Sequence, residues 1–288
     1  MSLRSAGDPG CVLITGCSSG IGRACTEELA RCGVRVFAGV RRAEDAEALR
    51  GLSPGQVEPV MLDVLDPPSV RAAAEMVQES VGTRGLAGLV NNAGIAIPGP
   101  WELLSPGDVR RQLEVNVVGT HAVTQAMLPL LRRAAGRVVM VGSISGRLAP
   151  PYFGAYAASK HALEAMADSL RIELRPWRIS VSVVEPDAVA TPLWDKFGRG
   201  LAALGCQTAA AASLYEESLR RLRGSAARSS RTGMPVSAVV HAVHHALFAR
   251  RPKARYPVGW RTRLAVWASP RLPTRLLDWI VLRTMGLS

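Results

Sequence analysis

Short apolar runs alternate with helical patterns along nearly the whole chain. The runs near 11–15, 34–40, 57–62, 86–90, 136–142, 179–184 and 254–258 are rich in Val, Leu and Ile and too short for buried helices, so they read as strands. Between them the apolar positions recur at helical spacing. Strand-helix-strand alternation requires right-handed crossovers between parallel neighbours, which predicts an α/β, doubly wound parallel sheet of about seven strands with helices on both faces. Two helix starts are explicit: Asp66-Pro67-Pro68 and Ser105-Pro106 each set a capping side chain directly before proline at the first helical position. Pro176 is expected to end the helix that carries Tyr156. Around Asn116 the flanking Val115, Val117 and Val118 make a poor helical neighbourhood, predicting a weak or kinked turn within a longer helix.

The first crossover carries chemistry. Val12-Leu13-Ile14-Thr15-Gly16-Cys17-Ser18-Ser19-Gly20-Ile21-Gly22 links a strand to the helix-like run from Arg23 to Cys32 and then to the apolar run from Val34 to Val40. Glycines there let backbone approach a pyrophosphate and present a helix N-terminus to it, as in a dinucleotide site. The spacing is G-x-x-x-G-x-G, not G-x-G-x-x-G, and a plain strand-to-helix turn would also use glycine. Ligands of such sheets lie beyond the carboxyl ends of the strands, and Gly16, Asn92, Ser143 and Pro186 all follow predicted strand ends.

Tyr156 precedes Lys160 by four residues in Ala155-Tyr156-Ala157-Ala158-Ser159-Lys160, in a chain with four tyrosines and three lysines. On a helix this spacing puts phenol and ammonium on one face, where the cation can favour a phenolate. The pair is a candidate proton donor to a substrate oxygen; a solvated surface pair has the same spacing.

Thr15-Gly16-x-x-x-Gly20-Ile21-Gly22, Asn91-Asn92-Ala93-Gly94, Asn116, Ser143 and Tyr156-x-x-x-Lys160, in this order over about residues 10 to 195, resemble the short-chain dehydrogenases/reductases. Ile14-Thr15-Gly16-Cys17, Asn116-Val117-Val118-Gly119-Thr120 and Glu185-Pro186 are most similar to the branch with 17β-hydroxysteroid and retinol dehydrogenases. The resemblance implies a Rossmann fold and hydride exchange between NAD(P) and a ketone, aldehyde or alcohol. It makes Tyr156 the general acid/base, its ionised form favoured by Lys160 together with the positive nicotinamide ring, and has Lys160 also hold the nicotinamide ribose hydroxyls. Ser143 would hydrogen-bond the reacting oxygen, and Asn116 would help hold a water that connects the lysine to solvent. Cofactor contacts are implied for Thr15, Gly16, Ser18, Ser19, Gly20, Ile21, Gly22, Asp63, Val64, Asn92, Ala93, Gly94, Pro186, Val189 and Thr191. Relatives specific for NAD carry an acid where this chain has Val40; with Arg41 next and Ser19 near, NADP(H) is favoured over NAD(H). Arg41 and Arg42 also read as plain surface charge. The usual Pro-Gly is here Pro186-Asp187, which puts the nicotinamide cradle in question.

A variable lid is expected over 193–233. Leu193, Trp194, Phe197, Leu201 and Leu204 suggest either an apolar wall for a lipophilic, steroid-, retinoid- or lipid-like substrate, or ordinary helix packing. Tyr152 and Trp194 join Ser143 and Tyr156 as candidate substrate contacts. The rival functional class is a nucleotide-binding sensor that keeps the fold without chemistry.

At 288 residues and 48% hydrophobic, with no linker or repeat, the chain reads as one domain, 1–288, with residues 1–9 flexible. The first ten residues resemble neither a secretion signal nor a membrane span. Cys11, Cys17, Cys25, Cys32 and Cys206 show no metal-ligand spacing, so free thiols in a reducing cytoplasm are expected and no metal is implied. The net charge of +12 comes without a zinc pattern or an aromatic-basic groove, and no nucleic-acid partner is expected. The tail, 260–288, mixes arginines with leucines and tryptophans; it could cover the pocket, form a subunit contact or touch a membrane peripherally, the last being the least favoured. By analogy alone, the helices bearing Asn116 and Tyr156 suggest a homodimer or homotetramer.

Overall fold

The computed structural model describes residues 10–204 and 209–286, the side chains of 203–212 excepted. Residues 1–9, Cys206 and the side chain of Leu204 therefore lie outside the described residues. The seven expected strands are present as β1 (Cys11–Ile14), β2 (Arg35–Val40), β3 (Val57–Met61), β4 (Gly88–Asn91), β5 (Arg137–Val141), β6 (Ser180–Glu185) and β7 (Arg255–Pro257). All pair in parallel, in the order β3-β2-β1-β4-β5-β6-β7. The chain reverses its direction of travel across the sheet between β1 and β4, which opens a crevice at their carboxyl ends.

Alternation along each strand feeds two cores. Val12 and Ile14 of β1 point into one, together with helices α1 (Gly20–Arg31), α2 (Ala43–Arg50) and α9 (Val236–Phe248). Cys11 and Leu13 point into the other, with α3 (Pro67–Val81), α5 (Gly119–Ala134) and α6 (Gly154–Glu173). A third, smaller apolar cluster joins α7 (Leu193–Leu204) to α8 (Ala209–Thr232). The remaining helices are α4 (Pro106–Leu113), α10 (Trp260–Ala268) and α11 (Thr274–Met285).

Both predicted caps form. Asp66 accepts from the Ser69 amide at 3.2 Å, and Ser105 and Asp108 cap one another reciprocally at the start of α4. Pro176 sits in a short 3-10 turn just beyond α6. The valine-rich stretch Glu114–Val118 widens into a π-helical turn between α4 and α5, a sharper departure than the expected kink. Thr120 Oγ1 donates to the Asn116 carbonyl there at 2.9 Å.

Candidate active site

The turn after β1 is shaped by its glycines. Gly16 and Gly20 have φ of 71° and 59°, a region that L side chains enter only at a cost. Gly22 answers a different constraint, since a Cβ there would lie 2.3 Å from the Gly16 carbonyl oxygen and 2.5 Å from Asn92 Nδ2. The close approach is clasped from β4: Asn92 Nδ2 donates to the carbonyls of Thr15 (2.8 Å) and Gly16 (3.1 Å). Thr15 Oγ1 accepts in return from the amides of Asn92 (3.0 Å) and Ala93 (2.9 Å). Ser18 and Ser19 lead into α1, where the Ser19 hydroxyl caps no amide and the first turn holds no acidic side chain. Those N-terminal amides face no built-in counter-charge, the condition an anion needs. Ile21, next in the turn, packs on the core.

Val40 is buried at the end of β2, and Arg41 beside it is exposed. Arg42 is held by Asp45 at 3.0 Å and Glu44 at 3.7 Å, whereas Arg41 makes no ion pair among the described residues. Asp63 and Val64 follow β3; Asp63 Oδ1 accepts from the Leu65 amide at 3.0 Å, and Val64 fills the space over Gly119.

A chain of contacts runs from this turn to Tyr156. Gly94 abuts Asn116, whose Oδ1 accepts from Ile95 N (2.9 Å) and whose Nδ2 donates to Ile95 O (3.0 Å) and Ser159 Oγ (3.0 Å). Ser159 Oγ donates on to the Tyr156 carbonyl at 2.7 Å. The Asn116 amide is thus engaged by protein partners, so its side chain ties the π-turn to α6. Gln112, buried one turn earlier, braces the same loop through Ile95 O (2.8 Å) and Ile97 N (2.7 Å).

Tyr156 is half-buried, and Ser143, the group that lowers its pKa, is itself buried just past β5. Lys160 is buried one turn on; its Nζ donates to the Val141 carbonyl at 2.7 Å and lies 5.6 Å from the Tyr156 ring centroid. Burial pushes the phenol above its usual value, with Ser143 pulling the other way. Burial also lowers Lys160 to about 8, opposed by the charge of Glu164. In the protein alone, therefore, the lysine bonds to backbone and not to the phenol, and the phenol is not made acidic.

Past β6, Pro186 accepts from Ile144 N at 2.8 Å, joining the two loops that carry the site. Asp187 is not among the described non-glycine residues with positive φ, which are Ala135, Tyr152 and Arg178. The backbone at Asp187 therefore does not call on the left-handed conformations that favour glycine. Val189 is buried and bridges to Met234, and Thr191 lies 3.4 Å from where a Gly20 Cβ would stand, over the glycine turn.

The lid divides. Phe197 and Leu201 are buried against Leu219, Leu222 and Ala226 of α8, so they form the lid's own core. Leu193 and Trp194 stay partly exposed, with Trp194 Nε1 donating to Val189 O at 3.0 Å. Phe153 stacks on Phe197 at 4.6 Å and meets the Tyr156 ring edge-on at 6.5 Å, carrying the aromatic cluster to the phenol. Tyr152 holds a φ of 68°, rare for an aromatic residue, while packing edge-on to Tyr215 at 6.4 Å.

Beneath the site lies an ionic cluster that the sequence reading missed. Glu164 Oε2 accepts from Arg147 Nη2 and Arg255 Nε, both at 3.1 Å, and Glu185 Oε1 accepts from Arg147 Nε at 2.8 Å. Burial, then the charge of Glu185, lift the Glu164 carboxyl to about 8 against the pull of Arg147. Glu164 stands four residues after Lys160, so helical spacing alone could have flagged it.

Comparison with known proteins agrees with this geometry. A short chain dehydrogenase profile matches residues 10–202. The chain belongs to the short-chain dehydrogenase family. It is 38% identical to retinol dehydrogenase 16 of Mus musculus, over 93% of this chain and 86% of that protein. Identity is also 38% to 17-beta-hydroxysteroid dehydrogenase type 6 of Bos taurus, over 95% and 88%. The NADPH-dependent 3-dehydrocapnine reductase of Ornithobacterium rhinotracheale is 35% identical, over 92% and 94%. Among solved structures, a short-chain dehydrogenase from Streptomyces avermitilis superposes with a TM-score of 0.77 at 25% identity, covering 98% of both chains. This short-chain dehydrogenase thus sits in the retinol and hydroxysteroid dehydrogenase-like branch.

Proposed function

We propose that the crevice binds NADP(H) and that Tyr156 exchanges a proton with the oxygen of a lipophilic ketone, aldehyde or alcohol. The observation that carries the reading is the meeting of the Tyr156 phenol, Ser143 and the buried Lys160 at the strand ends, connected to the glycine turn through Asn116. The turn fits a dinucleotide: a Cβ at Gly22 would fill the space under it, and α1 offers an N-terminus free of acidic side chains. When bound, a nicotinamide supplies or accepts the hydride, and its oxidised ring adds positive charge to the site.

Residues 15 to 22 and 92 to 94 would hold the pyrophosphate side, Asp63 and Val64 the adenine side, and Pro186, Val189 and Thr191 the nicotinamide side. Lys160 would turn from the Val141 carbonyl toward the ribose hydroxyls. Ser143 would donate to the reacting oxygen and stabilise charge growing there. Tyr156 has a raised pKa in the protein alone, so it waits protonated; it gives up its proton readily only with additional positive charge close by.

The preference for NADP(H) over NAD(H) is supported by Val40 in place of an acid, by the exposed Arg41, which has no ion pair among the described residues, and by likeness to a reductase named as NADPH-dependent. A lipophilic substrate is supported by the aromatic cluster reaching Tyr156 and by the retinol and hydroxysteroid dehydrogenase relatives. Free buried thiols at Cys17 and Cys25 support a cytoplasmic setting. Exposed Val118 and Ile172 beside α5 and on α6 support a homo-oligomeric contact. The test is a panel of steroid, retinoid and long-chain ketones, aldehydes and alcohols with NADPH and NADH, following nicotinamide absorbance. Turnover of lipophilic carbonyls with NADPH ahead of NADH is expected. Tight nucleotide binding with no turnover across the panel would favour the sensor reading.

A further inference from the structure

Ser143 stands at the head of a tight turn, Ile144–Gly146, and the hold of that turn on its neighbours decides where the serine hydroxyl lies. Inside the turn the Ser145 amide donates to Ser143 Oγ at 3.1 Å, which occupies one lone pair and leaves the hydroxyl proton to be donated elsewhere. The turn must also be placed against Tyr156 and Lys160, which belong to a different element, α6. Backbone begins that placement. Ile144 N donates to the Pro186 carbonyl at 2.8 Å, and Gly146 lies so close on α6 that a Cβ there would meet the Lys160 carbonyl oxygen at 3.0 Å.

Arg147 ends the turn and finishes the placement. Its Nε donates to Glu185 Oε1 at 2.8 Å and its Nη2 to Glu164 Oε2 at 3.1 Å, so one guanidinium spans the last residue of β6 and a helical turn of α6. Both carboxylates are buried, Glu164 with 7% and Glu185 with 0% of the side chain exposed. Each of the three residues is tied in sequence to a group of the site: Arg147 follows Ser143 by four residues, Glu164 follows Lys160 by four, and Glu185 directly precedes Pro186. The far side of the clamp is fixed as well, because Arg255 of β7 holds Glu164 at 3.1 Å and Asp168, one helical turn on, at 2.6 Å.

We propose that Arg147 is a positioning residue for the reaction, its guanidinium locking the Ser143 turn against α6 and β6 and so setting where Ser143 Oγ stands relative to the Tyr156 hydroxyl. The chemistry served in this way rests on the redox reading above. A donor stabilises growing charge only at hydrogen-bond distance, and a misplacement of about 1 Å can cost about a hundredfold in rate. The residue type fits the task. Arginine carries its donors on a rigid planar fork that can bridge two carboxylates, whereas lysine is a point charge on a flexible stem. Either residue would supply the charge, and only arginine supplies the bridge.

Arg147→Lys separates the two. On a substrate from the carbonyl panel its kcat is expected to fall by about tenfold or more, while KM for NADPH and the NADPH Kd from fluorescence titration stay within about twofold of wild type. Ser143→Ala completes a double-mutant cycle: adding Arg147→Lys to it should lower kcat by no more than about twofold further, because the group being positioned is already gone. Crystal structures of wild type and Arg147→Lys should differ by roughly 0.5 Å or more in the placement of Ser143 Oγ relative to Tyr156, a readout that needs no turnover. If the lysine variant does not fold, Arg147→Met/Glu185→Gln removes cation and anion together, leaves Glu164 with Arg255, and is measured in the same way. A kcat within twofold of wild type, a tenfold loss repeated in the Ser143→Ala background, or a Ser143 turn that superposes on the wild type would overturn the proposal. Turnover kept in Tyr156→Phe would instead sink the redox reading, and the crystallographic comparison would still decide the clamp.

Discussion

Replacing Glu164 by Gln should remove a pH sensitivity from the fold. The Glu164 side chain is 7% exposed, and this burial and then the nearby charge of Glu185 raise its pKa. The oxygens left without a donor, Glu164 Oε1 and Glu185 Oε2, are those that one shared proton would satisfy. The Glu164 pKa rises on folding from 4.5 to about 8, so between those values the native state holds a proton that the unfolded chain has released. Stability contributed in this way is complete below the unfolded value and lost as pH rises toward the folded one. At 1.36 kcal/mol per pH unit, the linkage reaches about 3 kcal/mol by pH 7, an upper figure because Arg147 and Arg255 can settle around an ionised pair. Gln reproduces the protonated acid: its carbonyl can accept from both arginines and its amide can donate to Glu185. Urea unfolding at several pH values from about 5 to 8 should show the wild type losing roughly 1 to 3 kcal/mol more than Glu164→Gln, with the two curves converging at the acid end. Parallel curves would refute the shared proton.

Two further outcomes follow from the crevice. Gly22→Ala drives a methyl to 2.3 Å from the Gly16 carbonyl and 2.5 Å from Asn92 Nδ2, so the clasp must open; a loss of about 1 to 3 kcal/mol in stability and much weaker NADPH binding by fluorescence titration are expected. Arg41→Glu should raise KM for NADPH by about tenfold or more and leave NADH less affected, since the carboxylate would repel a 2′-phosphate and suit free ribose hydroxyls; equal effects on both cofactors in steady-state kinetics would remove Arg41 from phosphate recognition.

The sheet was legible because its strands are short β-rich runs between strong turn signals, and every one of the seven forms at its expected place. Their edges moved where ladder pairing begins later than the apolar run: Leu86 and Ala87 precede β4, which starts at Gly88. The poor helix formers around Asn116 foretold a distortion but not its π form, which depends on packing against Ile95 and Ser159. Glu164 was within reach of the rule that paired Tyr156 with Lys160, whereas Arg147 and Arg255 come from 17 and 91 residues away and no local pattern joins them. The direction of the Tyr156 shift depends on burial, which spacing does not encode. Phe197 and Leu201 show the same limit, since an apolar helical face can line a pocket or fill the lid's core. On the tail, the periodicity of Trp260, Leu264 and Trp267 was visible, but which face the fold covers was not.

The central claim is that the Tyr156 hydroxyl transfers the proton in a reaction driven by a bound nicotinamide. Tyr156→Phe keeps the ring against Phe153 and deletes only that hydroxyl. On a substrate found in the carbonyl panel, kcat should fall by roughly 10² to 10⁴ while the Kd for NADPH, read by fluorescence titration, stays within about twofold. Unchanged turnover in Tyr156→Phe, with NADPH bound as before, would contradict the account.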